Sequence, residues 1–142
     1  MTSLAALVQA RLKERVPDLK AVQLQLDLDR VAKQVNCPAV FVALLAEQGE
    51  GRGRSINDNR QTVEERVAVS LVLSSANDPS GSRVEAELNR LRKQSIHPAL
   101  IGWQPSPERG AVFFGTGSLV DLGDGQVWWQ DIFRVSEHRS YA

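Results

Sequence analysis

Apolar residues near the start of the chain recur three to four positions apart, at Leu4, Leu7, Val8, Leu12 and Val16, while Arg11, Lys13, Glu14 and Arg15 face elsewhere. That spacing predicts a helix buried along one side, capped by Ser3 and ended by Pro17. From Ala21 to Leu26 the pattern changes: Val22, Leu24 and Leu26 alternate with Gln23 and Gln25, the period of a half-buried strand. Leu28, Val31, Ala32 and Val35 then fall on one side of a short helical segment that Pro38 stops.

Ala39 to Ala46 is apolar on both alternating faces, so it is expected as a central strand covered on both sides. Gln48 to Gln61 has no periodicity, and its glycines, arginines and Ser55-Ile56-Asn57-Asp58-Asn59 run predict a long polar loop. The chain returns through Val63, Val67, Val69, Leu71 and Leu73 as a long strand, antiparallel to the one before it. Asn77-Asp78-Pro79-Ser80-Gly81 is a turn, and Ser82 is the expected cap of a second helix reaching about Ile96. Its inward stripe is Val84, Leu88, Leu91 and Ser95, opposite Arg83, Glu87, Arg90 and Lys93. Pro98, Pro105 and Pro107 frame a rigid connector, and two strands follow, Ala111 to Leu122 and Val127 to Arg139, joined by the hairpin signal Asp124-Gly125. The order of elements predicts an α+β fold in one domain spanning residues 1–142, a mostly antiparallel β-sheet with two α-helices packed on it.

Composition narrows the function classes. The 142 residues carry 17 Lys+Arg against 17 Asp+Glu, so no overall field draws the chain to a polyanion or an acidic membrane. With 42% hydrophobic and 24% charged residues it is an ordinary globular chain. Cys37 is the one cysteine and is expected as a small buried residue in a reducing compartment. The apolar start lacks a basic leader and is interrupted by Arg11, and no run approaches the length of a membrane span, so a soluble cytosolic product is expected.

Catalytic patterns are weak. Gly49-Glu50-Gly51-Arg52-Gly53-Arg54 lacks the Lys-Ser/Thr pair of a phosphate loop. Its glycines keep a loop mobile instead, while Arg52, Arg54 and Arg60 offer planar donors to a partner's carboxylates. His97 and His138 have no metal-ligand spacing around them; His97 is expected to bond a carbonyl at the end of the second helix, and His138 to lie near the chain end. Asp27 with Asp29, and Asp121 with Asp124, read as helix-start and turn residues. Serines occur without a nucleophile elbow or matched triad, so no catalytic residue, cofactor site or metal site is assigned. Trp128-Trp129 is the remaining oddity, since adjacent strand residues point to opposite faces and one indole is left for a helix layer, a ligand or another subunit. Residues 83–97 are locally basic, through Arg83, Arg90, Arg92 and Lys93, and residues 118–142 locally acidic, through Asp121, Asp124, Asp131 and Glu137. Such opposed patches suit head-to-tail assembly, although solvated faces explain them too.

With its elements in this order the whole chain resembles the phage tail-terminator, or tail-completion, family. The landmarks are the Ser3 to Val16 helix, the Val22 to Leu26 strand, Pro38-Ala39-Val40-Phe41-Val42, the loop after Gln48, and Arg66-Val67-Ala68-Val69-Ser70-Leu71-Val72-Leu73. The most specific is Ala99-Leu100-Ile101-Gly102-Trp103-Gln104-Pro105, followed by an aromatic terminal strand. The resemblance implies a non-enzymatic structural protein that forms a hexameric ring on the last ring of tail tube protein and stops its polymerisation. It further implies a surface for a head-completion or neck protein, and DNA passing through the lumen without specific binding. It implies a place in the virion tail after assembly in the host cytoplasm, with no membrane partner. In this family the long loop is a natural tube contact, carried here onto Gly49, Arg52, Arg54, Asn57, Asp58, Asn59 and Arg60. Another head-tail connector protein, or a small ligand-binding module or enzyme using the Trp128 or Trp129 face, remain the alternatives.

Overall fold

The computed structural model describes residues 2–25, 36–50 and 59–141. Helix α1, Leu4–Arg15, begins where the sequence places it, with the Ser3 hydroxyl accepting a hydrogen bond from the Ala6 amide at 3.2 Å. Leu4, Ala5, Val8 and Leu12 are its buried residues, with Arg15 in the last turn. Strands β1 (Ala21–Leu24), β2 (Ala39–Glu50), β3 (Arg60–Ser74), β4 (Phe113–Gly123) and β5 (Gln126–Ser140) form one sheet in the order β1-β2-β3-β5-β4. Only the β1–β2 pair is parallel; β2–β3, β3–β5 and β5–β4 are antiparallel. Between β3 and β4, helix α2 (Ser82–Asn89), a π-helical stretch (Arg90–Ile96) and helix α3 (His97–Leu100) run as one continuous helix.

The core lies between this helical layer and one face of the sheet. Val40 and Val42 of β2, Val67, Val69, Leu71 and Leu73 of β3, and Phe133 and Val135 of β5 meet Leu4, Val8, Leu12, Leu91, Ile96 and Leu100. Each fully buried Val or Leu contributes roughly 1.5–3 kcal/mol. On the reverse face Ala39, Phe41 and Val72 form a smaller cluster, where Phe41 stacks on Trp128 with ring centroids 5.6 Å apart. Trp129 takes the helix side, beneath Arg92, whose guanidinium carbon lies 4.5 Å from the ring centroid. The indoles thus divide between the two faces as strand geometry requires, and both have partners within the chain.

Several element ends differ from expectation. The strands flanking the polar segment are longer than the apolar pattern: β2 continues to Glu50 and β3 starts at Arg60, because main-chain pairing such as Gly49 with Val63 continues after the side chains turn polar. β1 ends at Leu24, short of Leu26. The proposed helical segment at 28–35, and Asp27 and Asp29, lie outside the described residues. Ser82 is not the cap of α2; Gly81, with φ of 75°, holds that position, and the Asp78 carboxylate accepts from the Val84 amide at 2.9 Å in its place. The helix passes Ile96 to end at Leu100, Pro98 being tolerated in the first turn of α3. Asp124 and Gly125, with φ of 54° and 73°, form the tight turn between β4 and β5, as their sequence predicts.

Candidate assembly surface

Three of the residues expected to touch a partner, Gly49, Asn59 and Arg60, are among the described residues and sit at one end of a three-stranded arm. Gly49 lies in β2 opposite Val63, not in a free loop, and a Cβ there would come 3.2 Å from the Gln61 side-chain nitrogen, Nε2. Arg60 opens β3 opposite Ser140, and the Asn59 carbonyl accepts from the Tyr141 amide at 2.9 Å. Arg52, Arg54, Asn57 and Asp58 lie outside the described residues. The strands therefore bring Gly49, Asn59 and Arg60 to the end of the sheet where β2, β3 and β5 meet. Nearby, His138 lies within β5, close to the chain end as expected, and its side chain pairs with that of Thr62 at 3.2 Å.

Behind this end lies a buried charge network that the sequence reading did not assign. Arg109 donates from Nε to Glu65 Oε1 at 2.8 Å and from Nη2 to Glu137 Oε2 at 3.0 Å, with all three side chains buried. Arg139 bonds Glu137 and reaches Glu47 Oε1 at 2.9 Å. Arg109 comes from the proline-framed connector, pinned by the main-chain bridge between Arg109 and Glu137. The only sequence hint was a pair of glutamates, Glu65 and Glu137, at inward positions of otherwise apolar strands.

A second network joins helix to sheet. Asp131 on β5 accepts from Arg92 Nε at 2.9 Å and Nη2 at 2.8 Å, from Trp129 Nε1 at 2.9 Å, and pairs with His97 Nε2 at 2.9 Å. His97 therefore bonds a carboxylate, not the carbonyl expected of it; the helix runs on past it and turns its ring toward β5. The ring also packs on Phe114 and Phe133 at centroid distances of 4.9 and 5.6 Å. Burial pushes the Asp131 carboxyl up, but the bonds from His97, Arg92 and Trp129 together outweigh it and hold the group below its ordinary value. Because a π turn inserts an extra residue, Arg92 joins Leu91 on the buried side, which the regular helical stripe ending at Ser95 did not foresee. Gly117 of β4 leaves room for the cluster, since a Cβ there would sit 2.5 Å from Asp131 Oδ1 and 3.0 Å from Arg92 Nη2.

These networks revise the picture of opposed charged segments. Arg92 from the basic stretch and Asp131 from the acidic one neutralise each other inside the same chain, and Glu137 is enclosed by Arg109 and Arg139. Among the described residues no group of three or more His, Cys, Asp or Glu could hold a metal ion, and no helix is long and apolar enough to cross a membrane. Cys37 is partly exposed rather than buried, and burial still pushes its thiol up, away from the reactive thiolate. The apolar residues left outside concentrate on the edge strand β4, where Phe113 is 62% and Leu122 67% exposed, and around the β2 bulge at Leu44 and Leu45.

The specific landmark near Trp103 has a structural role. Gly102, with φ of 85°, reverses the chain after α3; its amide bonds the Val112 carbonyl and the Val112 amide bonds the Trp103 carbonyl, both at 2.9 Å. Arg11 lies over the Trp103 ring at 5.0 Å and donates to the Ala99 carbonyl at 2.9 Å, so it ties α1 to α3 instead of facing away.

Comparison with known proteins accords with this architecture. No match was found among curated proteins. A chain of the solved virion of a native gene transfer agent particle superimposes with a TM-score of 0.59 at 14% identity, covering 96% of each chain, which shows the shared fold. A second solved chain, 15% identical over 96% of both chains, gives a TM-score of 0.43 and carries no argument. The family model for phage tail terminator proteins matches residues 3–141, and the chain belongs to that family of structural components of the phage tail.

Proposed function

We propose that copies of this chain close into a hexameric ring on the last ring of tail tube protein, end its polymerisation, and present the opposite face to a head-completion or neck protein. The mechanism is steric: one face fits the tube end while the other offers no further tube acceptor, so growth stops with no bond made or broken. Assembly takes place in the host cytoplasm, and DNA later passes through the ring without sequence reading, in keeping with a formal net charge of zero. The observation that carries this reading is the β2–β3–β5 arm, whose end displays Gly49, Asn59 and Arg60 and leads into the arginine-bearing segment 51–58. Adding purified protein to growing tubes and measuring their lengths tests it; tubes that elongate unchecked would refute it. Replacing Arg52, Arg54 and Arg60 together by Ala should preserve the circular dichroism spectrum yet reduce tail completion. Full complementation by that triple variant would remove the tube-contact assignment.

A further inference from the structure

We infer that neighbouring subunits join head to tail, by seating the reverse face of the sheet near Arg134 of one copy on a groove at the helix-side face of the next. This contact rests on the ring reading above and names the surfaces that would build it. The groove, of about 530 Å³, opens beside the start of α1; Ala5, Leu44 and Tyr141 supply apolar wall, and Glu47 and Glu108 supply an acidic rim. Glu47, Glu65, Glu108 and Glu137 line it against Arg109 and Arg139, so it carries excess negative charge. On the other face, a smaller cavity of about 330 Å³ is bordered by Leu45, Ile132, Arg66 and Arg134, with Gly115 providing no side chain to fill it. Exposed Phe113 stands next to it, in register with Arg134.

Two observations select the occupant. Arg66 and Arg134 are direct cross-strand neighbours, an unfavourable placement of like charges. Arg66 is answered by Glu64 at 2.9 Å, whereas Arg134 has no carboxylate partner among the described residues. Excess positive charge with an apolar border thus lies on one side of the sheet, and excess negative charge with an apolar border on the other. The bulge between Leu44 and Ala46 serves both, placing Leu44 in the groove and Leu45 beside the arginines. A second copy of this chain carries the complement of each surface. Because the two surfaces differ, the contact is heterologous, and repetition with a closing rotation gives a ring.

The test uses the full chain and two charge reversals, Glu47→Lys and Arg134→Glu, with assembly followed by analytical ultracentrifugation and on tube ends by electron microscopy. Each single variant should need roughly tenfold more protein for half-assembly, since attraction becomes repulsion. An equimolar mixture should restore assembly, because the reversed charge at position 47 of one copy meets the reversed charge at position 134 of its neighbour and the alternate contacts remain wild type; an even-membered ring closes on that alternation. The double variant in one chain should be restored as well. If E47K fails to fold, E108K replaces it on the same rim. Wild-type rings that cap tubes, together with single variants that assemble as well or a mixture that stays disassembled, would overturn this contact and leave the terminator reading standing. Wild-type protein that forms no ring in solution or on tubes would overturn both.

Discussion

Replacing Asp131 by Ala should destabilise the subunit more than any surface substitution, and its size follows from the cluster. The carboxylate accepts two bonds from Arg92 and one from the Trp129 indole, and it pairs with His97. Removing it leaves the Arg92 guanidinium, whose side chain is 10% exposed, without a counter-ion and deprives two ring nitrogens of their partner. Breaking one side of a buried pair costs about 3–5 kcal/mol, and the Arg92 stack on Trp129 together with the partial exposure of His97 favours the low end, about 3 kcal/mol. With a urea slope of roughly 2 kcal/mol/M for a chain of this size, the unfolding midpoint should fall by about 1.5 M, read by circular dichroism. The double variant Arg92→Met/Asp131→Leu should recover all but about 1 kcal/mol, because apolar replacement of both partners removes the stranded charge. A single variant within about 0.5 kcal/mol of wild type, or a double variant less stable than the single, would refute the view that mutual neutralisation is what makes this cluster tolerable.

The same carboxyl sets an acid limit. Since its native value is depressed, its contribution is fully present above the unfolded value of about 3.9 and is lost as pH falls through the lower native value; urea midpoints should drop below about pH 4, and less steeply in Asp131→Asn. Gly117→Ala should lower stability by about 1–3 kcal/mol because the new methyl meets the buried ion pair, while Gly110→Ala, 4.0 Å from its nearest neighbour, should change the melting temperature little; equal effects would contradict the close-approach argument. Trp103→Ala should cost about 2–3 kcal/mol by calorimetry, through lost packing and the lost Arg11 contact, and no change would remove the structural role given to that landmark.

The fold was legible where hydrophobic period decides structure. The apolar stripe of α1, the alternation in β3 and the Asp124-Gly125 turn each predicted their element because burial and turn geometry act locally; the doubly apolar run of β2 predicted a strand too, but it is buried on both faces only from Ala39 to Val42, and Leu44 to Ala46 are exposed instead of covered. Polar strand ends were not legible, since ladder pairing of Gly49 and Arg60 depends on main-chain groups that leave no side-chain signature. The π stretch escaped for a different reason: a regular 3.6-residue stripe carries no sign of an inserted residue, and Arg92 reads as an outward cation until Asp131 is brought to it. The surfaces around Arg134 and Glu47 were illegible because each joins strands far apart in sequence. Of the predicted tube-contact residues, Gly49, Asn59 and Arg60 are among those described, and the sequence brings them near one another because they flank one connection.

Balanced total charge acquires a different meaning once the networks are seen. One charge from each of the locally basic and acidic segments, Arg92 and Asp131, is neutralised at 2.8 Å inside one subunit, and Glu137 lies between two arginines. Such pairs add little net stability over apolar residues, but they accept only one arrangement of helix against strand, so they can fix the position of the connector and of β5. A subunit that must match neighbours by shape needs that positional precision more than a long-range field, which would draw wrong partners as readily as right ones. Arg134 stands outside this set of internal pairs, exposed and opposed to another arginine, at the place where an apolar border is also left uncovered. On the ring reading, an exposed arginine with no carboxylate partner among the described residues, beside an uncovered apolar border, is suited to be answered by a neighbouring subunit.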